Sequence, residues 1–427
     1  MSTPALAVVT DTPELPLDTF DLDADAVRAR FDRARRDGHH TWLWPEVAVG
    51  AWRDALRGIE AATRGVLAGE AAPPRLDGDP SALGIAAYTS GMGPLLGYWV
   101  ESGALAADPG TAAVLRLHLH HNRLRMERLT RAAVEAIARL GEAGVVPVVL
   151  KGMHTAHTYF PEPGTRPVCD IDLLVVPGDL PAVERALRPA GYRPGLVQRR
   201  PYKCDWVPVG ADGLPRSLSL THAGDPYSLD THTSLDRNFF GVATVRLDRV
   251  PLSPAPWEVA PPARVPGQPL LTLLLATHAS EGLHGLSLVR LVELARVVRH
   301  DAASGALAWD GLLHAARAAG ALRFAYPALE LCERLAPGTI PGPVLERFAA
   351  AATPAMRRVL ARATPATAQR LDGLSLEERF MWAGTPWEHA RRVAHAVWPA
   401  PAGRSLTELG RIYGRRAWRL LRGRVDR

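Results

Sequence analysis

Apolar residues recur at helical spacing over most of this 427-residue chain, and the rhythm breaks once, near the middle. Residues 26–36, 47–68, 81–102 and 109–141 carry apolar positions near a 3.6-residue period and predict helices. A Pro/Gly/Asp-rich break at 73–80 separates the first pair from the second, and Gly141 and Gly144 end the last. After Gly144 the period shortens. Residues 145–150 form a short apolar, β-branched run that reads as a buried strand, ended by Lys151 and Gly152. A short helix over 153–160, a loop over 161–167, a second strand over 168–176 and a helix over 180–190 follow, the last closed by Gly191. Residues 192–198, 202–209, 217–222 and 227–235 read as extended. This order predicts an α+β domain built on a mixed sheet with helices.

Seven prolines make 251–269 a loop. The helical period then returns over 270–282, 286–299, 309–319, 322–335, 343–352 and 376–397. The organisation that follows is an acidic flexible head (1–25), an N-terminal helical region (26–143), an α+β domain (144–250), a Pro-rich linker (251–269), a C-terminal helical domain (270–403) and a basic amphipathic tail helix (404–427).

Composition narrows the function classes. No run approaches the roughly 18–20 consecutive apolar residues of a membrane span, and the first ten residues lack a basic segment, so neither a span nor a signal peptide is expected. Three cysteines exclude a disulfide framework or a Cys-rich zinc site, and a reducing cytoplasm is the simplest compartment. The net charge of +6 invites a nucleic-acid reading, but its distribution argues against one. The first 25 residues hold six acids and no base, while the tail from Arg404 holds eight arginines against two acids. The bases are almost all arginine. Lys151 and Lys203 are the only lysines.

The candidate chemistry lies in the 168–176 strand, VCDIDLLVV. Asp170 and Asp172 stand two apart and share one face, while Cys169, Ile171 and Leu173 point to the other, into a core. Two adjacent carboxylates on an apolar strand call for a compensating cation, and Mg²⁺ or Mn²⁺ supplies it. A lone Asp-x-Asp is equally a half-exposed edge with solvated acids, so the surroundings decide. Lys151 and Gly152 end the preceding strand at a turn whose backbone N–H groups can cradle phosphate. Arg166 is placed to reach a phosphate or brace the carboxylates. Asp230, in Leu-Asp-Thr-His, offers a third carboxylate as metal ligand or general base, with His232 on the same face. His154 is expected to face the nucleotide. Lys203, in an alternating strand, is expected at the surface, and His118, His120 and His121 give no clean metal-ligand face.

The stretch 148–192, VVLKGMHTAHTYFPEPGTRPVCDIDLLVVPGDLPAVERALRPAGY, resembles the bacterial uncharacterised nucleotidyltransferases of the DNA polymerase β-like superfamily. It is also similar to the AbiEii-type toxin nucleotidyltransferases. The superfamily pattern is a Gly-Gly or Gly-Ser turn, an Asp-x-Asp or Asp-x-Glu, and a third carboxylate on a neighbouring strand. Gly152 matches the turn, Asp170 and Asp172 the metal pair, and Asp230 the third acid. Lys151-Gly152-Met153 departs from the pattern in lacking the second small residue. The resemblance implies a polymerase β-like palm flanked by helical regions. It also implies transfer of NMP from an NTP, with Mg²⁺ or Mn²⁺ as cofactor and pyrophosphate released. Phosphates lie at Lys151, Gly152, Arg166 and His154 in this reading, and a cleft forms between palm and helices. The helix pair of the family carries a His and an acid, here His278 and Glu293, which with His232 are acceptor-site candidates. A hydroxyl or amine of a small molecule is the favoured acceptor. tRNA or protein, as in the toxin-type relatives, is the second reading, and a catalytically silent nucleotide-binding scaffold is the third.

Overall fold

The computed structural model describes residues 24–37, 43–195, 203–211, 213–283, 285–368 and 375–397, with Gly410 and Gly414. The acidic head, apart from its last two residues, and the basic tail helix therefore lie outside the described residues.

The described residues open with five helices: α1 (Ala24–Asp37), α2 (Val49–Ala68), α3 (Pro80–Ser90), α4 (Gly93–Glu101) and the 34-residue α5 (Pro109–Glu142). Two short strands among them, β1 (Arg75–Leu76) and β2 (Ala106–Ala107), pair in parallel. The sequence reading merges α3 and α4 into one helix. The chain breaks there because Gly91 turns into the left-handed region at φ 70°. Helix starts follow local chemistry. Asp79 accepts from Ser81 N and Ala82 N ahead of α3, and Asp108 accepts from Thr111 N ahead of α5, each followed by proline at the first helical position.

The middle of the chain supplies β3 (Val148–Val149), α6 (Met153–Thr158), β4 (Asp170–Leu174), α7 (Leu180–Leu187), β5 (Tyr192–Pro194), β6 (Lys203–Pro208) and β7 (Ser228–His232). A small hairpin of β8 (Arg237–Phe239) and β9 (Ala243–Val245) follows. Residues 217–222, expected to be extended, form bends and irregular backbone instead, and Asp225 takes the backbone N–H groups of Arg216 and His222 on either side of them. The proline-rich stretch is also more than a loop. It carries β10 (Ala255–Pro256) and β11 (Arg264–Val265), which extend the main sheet. Among the described residues that sheet has the order β10-β11-β3-β4-β7-β6-β5. β4 and β7 are parallel neighbours at its centre, and β3 and β6 flank them antiparallel. The expected mixed sheet is present.

The C-terminal part is helical: α8 (Leu270–Glu281), α9 (Leu288–Ala303), α10 (Trp309–Ala318), α11 (Leu322–Leu335), α12 (Gly342–Ala350), α13 (Pro354–Arg362), α14 (Leu376–Phe380) and α15 (Pro386–Val397). None of the described helices is long and apolar enough to cross a membrane.

Two apolar cores hold these parts together. One joins α2–α4 to α8–α11. The other lies on one face of the sheet, where Ile171, Leu173 and Leu229 pack with Leu129, Ala133, Ile137 and Leu140 of α5 and with Val183 and Leu187 of α7. Cys169, expected on that inner face, precedes β4 and is exposed. Because strand side chains alternate, committing one face to this core turns Asp170, Asp172 and Asp230 to the other.

Helices α4 and α5 approach closely through glycine. A Cβ at Gly97 would lie 2.3 Å from the Leu115 carbonyl oxygen, which is backbone and cannot step aside. Gly97→Ala should therefore destabilise the protein by about 2 kcal/mol or more in denaturant unfolding. Gly50→Ala in α2, where nothing lies within 4 Å, should be neutral or stabilising by up to about 1 kcal/mol in the same measurement.

Candidate active site

The parallel pairing of β4 and β7 sets Asp172 directly beside Asp230, and the antiparallel pairing of β7 and β6 sets Asp205 on Asp230's other side. Three carboxylates thus stand abreast across three strands. Like charges opposite one another destabilise a sheet, and here Asp172 and Asp230 are each only 3% exposed. The cost is offset by cations and donors gathered around them. Lys151, at the turn after β3, donates to Asp172 Oδ2. His232 Nε2 lies 2.8 Å from Asp172 Oδ1. Lys203 Nζ lies 2.5 Å from Asp230 Oδ2 and 3.5 Å from Asp205 Oδ1, and Ser228 donates to Asp230 Oδ1 at 3.0 Å. Lys203 is therefore not the surface cation expected from its strand. Both lysines of the chain belong to this site.

The two central carboxylates differ electrostatically. Burial pushes the Asp172 pKa upward, but the Lys151 ammonium and the His232 contact outweigh it and hold the group well below the usual carboxylate range. At Asp230 burial prevails over the Lys203 hydrogen bond, and with the charge of Asp170 it pushes the pKa up to about 6. Asp170, two residues before Asp172 and less buried, is near enough to contribute to that rise.

A donor set for a cation is in place. Ligand atoms of Asp172, Asp230 and His232 all lie within 4.8 Å of one another. Two carboxylates suit a hard divalent ion such as Mg²⁺ or Mn²⁺, and an imidazole nitrogen tilts the set toward the softer of these.

The turn beside the acids is braced from the helical side. Gly152 adopts φ 59° and ψ −88° as it opens α6, a backbone that side chains rarely allow. Thr155 lies 3.2 Å from the Gly152 carbonyl and donates to Glu293 Oε1 on α9. Arg166 donates to Glu293 Oε2 at 2.8 Å. Burial raises the Glu293 pKa, but Arg166 and Thr155 outweigh it and hold the group ionised. Glu293, an acceptor-site candidate, is 2% exposed with both oxygens engaged, and so ties α9 to the turn. His154, expected at the nucleotide, sits inside the helical packing. It is buried against the edge of Tyr159 and 3.2 Å from Thr158 Oγ1, and burial lowers its pKa to about 4. His278 on α8 is half-buried and is held neutral by burial and by the charges of Lys151, Arg237 and Arg290.

The structure adds a residue that the sequence reading missed. Arg125 of α5 is 1% exposed and donates to three backbone carbonyls: Val168 at 3.1 Å, Asp225 at 2.6 Å and Pro226 at 3.0 Å. It clamps the segments that lead into β4 and β7, and so helps fix the register that sets Asp172 beside Asp230. The helical period hid it, because a buried arginine in a helix gives no sequence signal of its own.

Arg125→Met should cost about 3 kcal/mol or more in denaturant unfolding, since it strands buried carbonyls. Arg125→Lys should recover only part of this, because a single ammonium cannot span carbonyls on two segments.

A family model described as uncharacterised nucleotidyltransferase matches residues 77–337, more than half of the chain and all of the site elements above. Neither the curated proteins nor the solved structures yield a match. A mixed sheet flanked by helices, carrying an Asp/Asp/His cluster, is consistent with the α+β nucleotidyltransferase fold. The chain belongs to the family of uncharacterised nucleotidyltransferases and is a transferase of phosphorus-containing groups.

Proposed function

We propose that the protein moves NMP from an NTP to a hydroxyl or amine of a small molecule in a specialised biosynthetic pathway in the cytoplasm. Mg²⁺ or Mn²⁺ serves as cofactor in this reading. The observation that carries it is the paired burial of Asp172 and Asp230 on adjacent parallel strands, with His232 completing a donor set.

Each residue then has a task. Asp172, held ionised, is the principal ligand; Asp230 and His232 complete the set, and Asp170 adds a carboxylate at its less buried end. A bound divalent ion offsets phosphate charge and makes the α-phosphorus more electrophilic. Lys151 reaches the β- and γ-phosphates, and the left-handed turn at Gly152 lets backbone approach them. Arg166, Thr155 and Glu293 keep that turn in place. The acceptor oxygen or nitrogen bonds to the α-phosphorus, the bond from that phosphorus to the bridging oxygen breaks, and pyrophosphate leaves. Asp230 has one of two tasks: as a ligand it leaves the acceptor's proton to water, and where only Asp172 and His232 hold the cation it takes that proton itself, its raised pKa suiting a base. His278, held neutral by burial and nearby cations, is the acceptor contact in this reading.

Pyrophosphate release tests this directly. The protein is incubated with each NTP, with Mg²⁺ or Mn²⁺, and with pools of small-molecule acceptors. Asp172→Asn and Asp230→Asn should each lower turnover about a hundredfold or more. Turnover that survives both substitutions rejects the site, and RNase-sensitive labelling of added RNA would replace the small-molecule acceptor with a nucleic acid.

The pH dependence of cation binding gives a second test. A protonated carboxyl does not ligate, and the Asp230 pKa stands at about 6 in the folded protein. Affinity for Mn²⁺ should therefore hold above that pH and fall by up to about tenfold per pH unit below it. Titration calorimetry across pH 5 to 8, taken as roughly the span around that value, should show a steeper fall in the wild type than in Asp230→Asn, where only the His232 ligand still competes with protons.

A further inference from the structure

The two lysines reach the carboxylates from opposite sides. Lys151 comes from the turn after β3 and holds Asp172 Oδ2, while Lys203 comes from β6 and holds Asp230 Oδ2 at 2.5 Å. Lys203 sits opposite His232 in the strand register, so its amine spans to the next residue row to reach Asp230 and Asp205. Both lysine side chains are largely buried, at 13% and 26% exposure. The oxygens they hold belong to the carboxylates that a divalent ion would use. An ammonium and a divalent ion on one carboxylate repel each other, so the two occupancies compete.

We propose that Lys151 and Lys203 are displaceable counter-ions. They neutralise Asp172 and Asp230 while no metal is bound, and a divalent cation releases them to meet the phosphate oxygens of the nucleotide. This rests on the nucleotidyl-transfer reading above and adds an order to it. The metal alone must evict two ammonium groups with no anion to receive them, so it binds weakly. With a triphosphate present the ammonium groups gain new partners, and metal and nucleotide reinforce each other's binding. By linkage, the factor by which nucleotide tightens the metal equals the factor by which metal tightens the nucleotide. Lys203 is then a positioning residue that sets metal affinity, and the two-lysine composition of the chain is part of the device.

That composition also supplies the test. Amine-directed acylation can modify only Lys151, Lys203 and the N-terminal amine of this sequence, and peptide mass spectrometry reads each separately. An ion-paired ammonium reacts slowly. The full-length protein is acylated under limiting reagent in three states: with chelator, with Mn²⁺ alone at a level shown by electron paramagnetic resonance to fill the site, and with Mn²⁺ plus a non-hydrolysable ATP analogue. Acylation of Lys203 should speed up several-fold with Mn²⁺ alone and slow again when the analogue is added. An unchanged Lys203 rate with Mn²⁺ bound overturns the proposal while leaving nucleotidyl transfer standing. Failure of Mn²⁺ and the analogue to bind at all removes both. A variant gives a second reading: Lys203→Met should bind Mn²⁺ about tenfold more tightly than wild type without nucleotide, and should show less coupling between the two ligands. Equal affinity in that variant overturns the proposal. Should Lys203→Met not fold, the acylation series on the wild-type protein decides alone.

Discussion

Two ionisable carboxylates buried side by side on parallel strands repel each other, and much of the architecture around this sheet answers that repulsion. The partners of Asp172 and Asp230 arrive from three segments: Lys151 from a turn, Lys203 from β6, His232 and Ser228 from β7 itself. Stripped of them, the pair would protonate or the sheet would shift. With them, one carboxylate is held firmly ionised, while burial and the charge of Asp170 still raise the pKa of its neighbour against the pull of Lys203. Environments that push two like groups apart in this way are how a single site acquires both a fixed anion and a working base.

The rest of the fold holds that geometry still. One face of the sheet is sealed by α5 and α7 over Ile171, Leu173 and Leu229, which leaves the acids only one direction to point. Arg125 secures the segments entering both central strands. On the other side, the Glu293 carboxylate joins α9 to Thr155 and Arg166, so the C-terminal helices are bound to the turn beside the acids. The helical parts are therefore more than flanking bulk. α5 supplies the floor of the sheet and α9 the brace of the turn.

The aspartate face was legible because its signal is local. A two-residue period is enough to put Asp170 and Asp172 on one side of a strand, and a glycine after an apolar run is enough to mark a turn. Asp230 could be named as a candidate, but its adjacency to Asp172 is a matter of register between strands some sixty residues apart. Lys203 was misread for the same reason. Alternation says that one face of its strand is polar without saying which strand lies alongside, and here the neighbour is β7 with its buried acid. Residues 255–265 were misread because proline argues against strands in general, yet it is tolerated where short strands extend a sheet.

The sequence by itself determined the succession of helices and strands, the α+β class, the shared face of Asp170 and Asp172, and the glycine turn before them, since each follows from side-chain period or backbone freedom within a few residues. Tertiary structure decided which strands became neighbours, and so the row of Asp172, Asp230 and Asp205, the seating of both lysines on it, the burial of His154, and the use of Glu293 as a brace. Those outcomes depend on long-range pairing and on how burial divides charge among groups far apart in the chain, and neither is written in any local pattern.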